Sequence, residues 1–170
     1  MTEIEKYQAK LDNIVATNST AIFANYTQEH AECIIRTFIR NARREVLLLA
    51  GDFTGGVYVK PDIQGAIICA INRGVNFRVI SLVIDKAREM EEFRNHIPKQ
   101  AKGIYDYRLG RVREGVLVHH YMVVDGKAYR YEEPHAELHP TVVHAEVCWN
   151  GVEGASQLAR RFEDVWSRLS

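Results

Sequence analysis

Two adjacent histidines in an apolar run are the residues of this chain best suited to chemistry. His119 and His120 stand in the stretch GVLVHHYMVVDGKAY, residues 115–129, and Asp125 follows them in an Asp-Gly pair. Histidine exchanges a proton near neutral pH and can act as a nucleophile or as a general acid or base. His120, His119 and Asp125 are therefore the catalytic candidates. The alternative is a half-buried strand whose histidines are satisfied by carbonyl groups, ending in the Asp-Gly turn that tight hairpins favour.

The run around the histidines is predicted to be a strand, and a strand separates the two rings. Side chains alternate between its faces, so Val118, His120 and Met122 share one face. His119 and Tyr121 share the other face. His119 could reach the face of His120 only through a one-residue slip or a bulge. His120 is accordingly the first candidate, as a lone nucleophile or a general acid.

Several cations and a glycine pair lie where they could hold an anionic ligand. Cationic side chains bind phosphate oxygens, and glycines allow the backbone to approach a phosphate closely. The ligand-binding candidates are Lys127, Arg130, Arg111, Arg113, Gly55 and Gly56. The alternative is that the arginines before the histidine strand form a basic turn offset by Asp106 and Glu114. The glycine loop is not a phosphate-binding P-loop, because no Gly-Lys-Ser/Thr follows it.

A zinc site is the metal hypothesis that the sequence raises. His135 and His139 lie four residues apart near carboxylates, but Pro134 and Pro140 flank them and leave little room for a helix. The spacing therefore does not place both rings on one helical face, and no HExxH or CxxC pattern is present. We expect neither a metal nor a cofactor.

The composition predicts an ordinary globular domain without a global electrostatic field. Lys and Arg together number 22, as do Asp and Glu, so attraction to nucleic acid or membranes must come from local clusters. No apolar run approaches the about 20 residues of a membrane span, and the N-terminal stretch lacks a signal-peptide core. Three widely spaced cysteines argue against a disulfide framework. We expect a cytoplasmic protein.

The hydrophobic pattern predicts one α/β domain with a mixed β-sheet and helices packed on its faces. Residues 1–26 form an N-terminal helix and lead-in, and residues 27–170 form the main domain. After two helices come two strand–helix units, expected to be parallel, then four strands expected to continue the sheet in antiparallel fashion, and a final helix. The predicted strands are EVLLLAG, VNFRVISLV, GIYDYRL, GVLVHHYMVV, AYRYEE and TVVHAEVCW.

This order of elements resembles one repeat of the phospholipase D (HKD) superfamily over roughly residues 28–169. The segments that carry the resemblance are NARREVLLLAGDF, GAIICAINRGVNFRVISL, VHHYMVVDGKAY and RRFEDVWSRL. The resemblance implies a phospholipase D-like fold and a strand bearing a His-x-Lys-x4-Asp motif. In the family, a histidine attacks phosphorus, its partner histidine protonates the leaving group, and the lysine neutralises the phosphoryl oxygens. A single motif per chain implies that active members pair as homodimers.

The motif of this chain departs from the family pattern. With Asp125 as the anchor, the position of the family histidine falls on Val118 and that of the lysine falls on His120. Valine can neither attack phosphorus nor transfer a proton. The resemblance therefore implies a degenerate catalytic motif, with Asp125 the one catalytic position that matches.

Three functional hypotheses follow. The first is a catalytically degenerate phospholipase D-like domain that acts as a binding or interaction module, for a phosphate-bearing ligand such as nucleic acid, a nucleotide or a phospholipid headgroup. The second is a homodimeric phosphodiesterase or nuclease of altered mechanism that uses His120. The third is a regulatory or scaffolding subunit without a small ligand, for which a crevice filled by side chains is expected.

Overall fold

The computed structural model of the chain describes residues 1–112, 116, 118–135 and 144–170, without the side chains of Pro134 and His135. Within these residues a seven-stranded sheet is flanked by helices. The helices are α1 (Glu3–Ala16), α2 (Gln28–Asn41), α3 (Pro61–Asn72), α4 (Ala87–Asn95) and α5 (Val152–Trp166). The strands are β1 (Ile22–Asn25), β2 (Glu45–Ala50), β3 (Asn76–Ser81), β4 (Tyr105–Leu109), β5 (Val118–Val124), β6 (Ala128–His135) and β7 (Ala145–Cys148). The predicted mixed α/β sheet is confirmed.

The strand order is β1-β7-β6-β5-β2-β3-β4. Strands β2, β3 and β4 run parallel, and every other neighbouring pair is antiparallel. The parallel part is thus one strand longer than the sequence predicted. The reason is α4, which links β3 to β4 as a crossover and so allows β4 to run in the same direction.

Strand β1 was not predicted from the sequence. It has four residues, IFAN, and pairs antiparallel with β7, with Ile22 opposite Cys148. Such a short segment carries too little periodicity to be recognised as a strand, and it forms because β7 supplies its hydrogen-bonding partner. As a result the N-terminal segment contributes an edge strand to the sheet of the main domain.

The sheet divides the interior into two hydrophobic cores. The first core lies between the sheet and helices α1–α4 and includes Leu48, Met122 and Phe38. The second core lies under α5, where Phe162 and Trp166 pack against the opposite face. Residues 46–50 of β2 are buried on both faces, as the unbroken apolar run predicted.

The segment INRGV of the family-like motif has a structural role at the end of α3. The Arg73 guanidinium donates to the carbonyl oxygens of Ile39 (2.7 Å), Arg40 (2.8 Å) and Ala42 (3.0 Å). It therefore caps the C-terminus of the neighbouring α2. Gly74 follows with φ of +113°, a conformation that favours glycine. These contacts fix the packing of the two helices and the entry into β3.

No helix in the described part of the chain is long and apolar enough to cross a bilayer.

Candidate functional site

A pocket of about 360 Å³ opens at the C-terminal end of β2, on the side of the sheet that carries α2. Its wall combines the start of α2, the loop after β2, and the facing ends of β5 and β6. The residues that line it are Gln28, Ala31, Ile35, Leu49, Ala50, Gly51, Asp52, Gly55, Gly56, Val57, Tyr58, His120, Tyr121, Met122, Arg130 and Glu132. Four sequence candidates, His120, Arg130, Gly55 and Gly56, are thus brought together.

His120 is held in the pocket by the backbone of β2. Its Nδ1 accepts a hydrogen bond of 2.8 Å from the Gly51 N–H. An amide N–H can only donate, so Nδ1 carries a lone pair, and the neutral ring carries its proton on Nε2. A Cβ atom on Gly51 would lie 2.5 Å from His120 Cε1. Only glycine at position 51 lets the ring approach this closely.

Arg130 and Glu132 form a nearly buried ion pair in the pocket wall. Arg130 Nη1 lies 3.0 Å from Glu132 Oε2, and the side chains are 7% and 14% exposed. Arg130 Nε also donates to the Oδ1 of Asn25, at 3.1 Å. The guanidinium charge is therefore compensated inside the protein, and one of its partners comes from β1.

The loop after β2 brings a second carboxylate to the pocket. Asp52 Oδ1 accepts from the backbone N–H and the hydroxyl of Thr54, both at 2.9 Å. A Cβ on Gly55 would lie 2.3 Å from Asp52 Oδ2, and Gly56 has φ of +55°. Both glycines are thus required by the course of this loop. Burial raises the pKa of Tyr58, which leaves a neutral hydroxyl at physiological pH.

His119 lies on the opposite face of the sheet. It is exposed, and its Nδ1 is hydrogen-bonded to the Tyr131 hydroxyl, with the two ring centroids 5.5 Å apart. Strand β5 keeps its register with β2 between Tyr121 and Val124. At the start of β5 the pairing with β6 is irregular, because Val118 pairs with His135 whereas His120 pairs with Glu132. Two residue steps along β5 thus face three steps along β6, and the extra residue belongs to β6. His119 is therefore not carried into the pocket.

Val118 does not share the face of His120, contrary to the alternation that the sequence predicted. It packs against the second core, under α5. The irregularity in the β5–β6 pairing lies between Val118 and His120, and a bulge increases the local twist of the paired strands, which turns the start of β5. The position of the family nucleophile is thus outside the lining of the pocket.

Asp125 and Lys127 lie at the other end of the sheet. The Asp125 carboxylate accepts from the backbone N–H groups of Arg43 (2.9 Å), Arg44 (2.8 Å) and Glu45 (3.0 Å). Lys127 Nζ lies 3.1 Å from Asn18 Oδ1 and 4.8 Å from the ring centroid of Trp149. The length of β2 separates both residues from the pocket by about 17 Å, at roughly 3.3 Å per residue.

The arginines before β5 are not part of the described pocket. Arg111 is exposed and follows β4 by two residues, and Arg113 lies outside the described residues. For the zinc hypothesis, His139 and the side chain of His135 also lie outside them. Among the described residues no group of three or more histidines, cysteines and carboxylates could hold a metal ion.

Sequence reasoning missed Gly51, Asp52, Tyr58 and Glu132 as pocket residues. For Glu132 a signal existed, because residues 130 and 132 of a strand share a face. The closeness of Gly51 to His120 depends on the β2–β5 pairing, which local patterns do not encode.

Solved structures establish the fold class. Nuc of Salmonella typhimurium, a phospholipase D family member, aligns with a TM-score of 0.65 at 19% identity, over 88% of this chain and 96% of its own. NucT from Helicobacter pylori aligns with a TM-score of 0.58 at 15% identity, over 88% of this chain and 98% of its own. The chain therefore has a phospholipase D-like fold.

A third structure is similar over nearly the whole chain. TrmBL2, an archaeal chromatin protein with a novel mode of DNA binding, aligns with a TM-score of 0.65 at 11% identity. The match covers 98% of this chain, which spans 61% of the TrmBL2 chain. No protein-family model matches the sequence, and no curated protein matches it.

Proposed function

We propose that this chain is a phospholipase D-like domain that does not hydrolyse phosphodiesters and that acts as a binding module through the pocket around His120. The observation that carries the proposal is the hydrogen bond from the Gly51 N–H to His120 Nδ1.

A nucleophilic imidazole needs a nitrogen lone pair directed at phosphorus. In His120 the Nδ1 lone pair faces the Gly51 amide, and the proton of the neutral ring is on Nε2. Protonating Nδ1 as well would place two N–H groups against each other and break the bond. His120 therefore serves as a hydrogen-bond donor. Val118, at the position of the family histidine, packs against the second core.

The pocket also lacks a strong source of transition-state stabilisation among the described residues. A phosphoryl group that gains charge needs cations directed at its oxygens. Arg130 is the cation in the described lining, and Glu132 and Asn25 accept from its guanidinium. An arginine whose charge is already balanced by a carboxylate can orient a ligand. It provides little stabilisation for the negative charge that develops in a phosphoryl-transfer transition state.

An open pocket whose mainly apolar wall carries a few polar groups supports a binding module over a scaffold without a ligand. Its about 360 Å³ falls within the range of small-ligand sites, and donors and acceptors converge on it. Phosphate-bearing molecules are the proposed ligand class. Nucleic acid or a nucleotide is favoured within it by the likeness to a DNA-binding chromatin protein.

The test is hydrolysis of bis(4-nitrophenyl) phosphate and of single-stranded DNA by the wild-type protein, by His120→Ala and by Lys127→Ala. Lys127 is the matched control because it lies at the far end of the sheet. We expect the same background rate in all three proteins. Turnover that disappears in His120→Ala and persists in Lys127→Ala would overturn the proposal in favour of a phosphodiesterase.

A homodimer is a further part of the proposal, since the family resemblance implies paired chains. Sedimentation velocity measures it directly. We expect a dimer. A monomer at about 100 μM would mean that the free energy of dimerisation is weaker than about −5.5 kcal/mol, and it would refute the homodimer.

A further inference from the structure

Five cationic side chains lie together at the end of the sheet opposite the pocket, where β2, β3 and β4 begin. They are Arg40 in the last turn of α2, Arg43 and Arg44 before β2, Arg73 at the end of α3, and Lys102 before β4. All five side chains are exposed. We call this group the basic patch. The length of β2, at roughly 3.3 Å per residue, separates it from the pocket.

Backbone contacts hold the cations of α2, α3 and β2 close together. Arg73 Nη2 donates to the carbonyl oxygens of Arg40 at 2.8 Å and of Ala42 at 3.0 Å. Arg43 and Arg44 follow Ala42 directly in the chain. The four arginines therefore surround one junction, at which α2 and α3 end and β2 begins.

Lys102 lies beside the same junction. A Cβ atom on Gly74, the residue after Arg73, would lie 3.8 Å from Lys102 Cβ. The Lys102 N–H also donates to the carbonyl oxygen of Asn72, in the last turn of α3, at 3.5 Å. The lysine thus extends the basic patch from α3 towards β4.

Most of the cations in the basic patch have no carboxylate partner. Within the described residues no carboxylate forms an ion pair with Arg40, Arg43 or Lys102. The Arg44 guanidinium donates to the carbonyl oxygen of Asp125 at 2.8 Å, and that oxygen carries no formal charge. These cations are therefore available to an anionic partner.

The charge of the basic patch exceeds what the adjoining groups neutralise. The Asp125 carboxylate accepts from three backbone N–H groups, and Glu45 lies 3.7 Å from Arg78. Five cations and these two carboxylates sum to a formal charge of +3. The C-terminal ends of α2 and α3 point to the same place and together add about −1, which leaves about +2. Since the whole chain sums to zero, positive charge is concentrated here beyond the needs of the helix ends.

The arginines of the basic patch favour phosphate as the partner group. Four of the five cations are arginines, and a planar guanidinium can donate two parallel hydrogen bonds to phosphate oxygens. The exposed side-chain amide of Asn72 adds a neutral donor of the kind that contacts phosphates. An anionic membrane fits less well, because adsorption to a bilayer also needs an apolar face. Among the described residues Ile104 is the one exposed large apolar side chain that adjoins the patch.

The basic patch is better suited to a duplex than to a single strand. Proteins bind single-stranded nucleic acid by stacking its bases on aromatic side chains. Among the described residues Tyr26 is the exposed large aromatic side chain, and it follows Asn25, which contacts Arg130 in the pocket wall. The patch therefore offers cations without a stacking surface. A double helix presents one phosphate charge per about 1.7 Å of its axis, which suits such a cluster.

We infer that the basic patch binds the phosphate backbone of duplex nucleic acid without reading its base sequence. The patch contributes no residue to the described lining of the pocket. The inference therefore goes beyond the proposed function and does not rest on it.

The test is the fluorescence anisotropy of a labelled DNA duplex titrated with the full chain at KCl concentrations from about 50 to 200 mM. Binding to phosphates releases counterions, so the logarithm of the affinity falls by about 0.9 per phosphate for each tenfold rise in salt. With about three to five phosphates contacted, the affinity should fall about 40- to 500-fold across this range. Two duplexes of unrelated sequence should have Kd values within about threefold of each other, since phosphate contacts carry no sequence information.

The double variant Arg40→Gln/Arg43→Gln removes two side chains of the basic patch that form no ion pair in the described structure. It should bind the duplex at least about tenfold more weakly at low salt, and its salt slope should be smaller by about 1.8. Equal melting temperatures of the variant and the wild type will show that the fold is kept.

The matched control is Arg161→Gln/Arg168→Gln, which removes the same charge from the C-terminal part of α5 and the residues after it. Arg108, near the end of β4, donates to the Leu169 carbonyl oxygen at 2.6 Å, so this part of α5 lies at the other end of the sheet. Screening over about 10 Å at 0.1 M salt should keep its Kd within about threefold of the wild type.

Four results would overturn the inference. They are the absence of duplex binding at the lowest salt, an affinity that does not depend on salt, a loss in the control as large as in the patch variant, and tighter binding of a single strand of equal length. Phosphatidylserine vesicles bound more tightly than the duplex would also overturn it, in favour of a membrane surface. A loss of duplex binding in His120→Ala would assign the nucleic acid to the pocket instead. The hydrolysis assay decides the proposed function separately.

Discussion

Replacing Arg130 by methionine should destabilise the fold far more than a surface substitution does. The side chain of Arg130 is 7% exposed, and its removal leaves the Glu132 carboxylate without its guanidinium partner. It also removes the donor that Nε provides to Asn25 Oδ1, an amide in a fully buried residue. Methionine fills most of the volume, so the cost is electrostatic rather than a cavity.

The magnitude follows from these two losses. Breaking a buried ion pair by removing one partner costs about 3–5 kcal/mol. The orphaned Asn25 accounts for about 1–3 kcal/mol of that figure. Adding Glu132→Met removes the carboxylate that has lost its guanidinium partner, and the double variant should recover about 2 kcal/mol. At about 2–4 °C per kcal/mol, the single variant should melt about 6–20 °C below the wild type.

Urea unfolding followed by tryptophan fluorescence measures these differences. Trp149 belongs to the first core and Trp166 to the second, so one signal monitors both sides of the sheet. A loss of less than about 1 kcal/mol in the free energy of unfolding of Arg130→Met would be typical of a solvent-exposed ion pair. It would refute the claim that Arg130 and Glu132 form a buried pair. A double variant no more stable than the single one would show that the loss of the Arg130–Glu132 contact is not the source of the cost.

Three other substitutions test separate parts of the structure. Asp125→Ala removes the acceptor of three backbone N–H groups and should cost about 2–4 kcal/mol in urea unfolding, while ligand affinity at the pocket stays unchanged. Gly51→Ala places a methyl group 2.5 Å from His120 Cε1, so it should cost about 1–3 kcal/mol and weaken pocket binding, and an unaltered Kd would contradict the placement of the ring. Tyr7→Phe should change stability at pH 7 by less than about 1 kcal/mol, since the Tyr7 hydroxyl has no hydrogen-bond partner among the described residues. Burial raises the pKa of Tyr7 from 10.0 in the unfolded chain to about 12 in the folded protein. The stability that the neutral Tyr7 hydroxyl contributes is therefore fully present below pH 10.0 and is lost as the pH rises towards 12. The urea midpoint should fall less between pH 9 and pH 11 in Tyr7→Phe than in the wild-type protein.

The sequence by itself determined most of the elements and the side of the strand on which the two histidines lie. The six predicted strands are present, and the 3.6-residue period of α2 matches its buried face, which includes Ile34, Phe38 and Ile39. These features are local, because hydrophobic spacing along a segment records which of its faces is buried. Alternation also separated His120 from His119 correctly, although it failed at Val118, next to the register shift.

Only the tertiary structure decided which residues form the pocket. Asn25 meets Arg130 across 105 positions of the chain, and Gly51 meets His120 across 69. Asp125 and Lys127, close to His120 in sequence, are carried to the far end of the sheet because β5 runs away from the pocket. Strand pairing sets these distances, and it depends on which distant segments satisfy each other's backbone groups. No local pattern in the sequence contains that information.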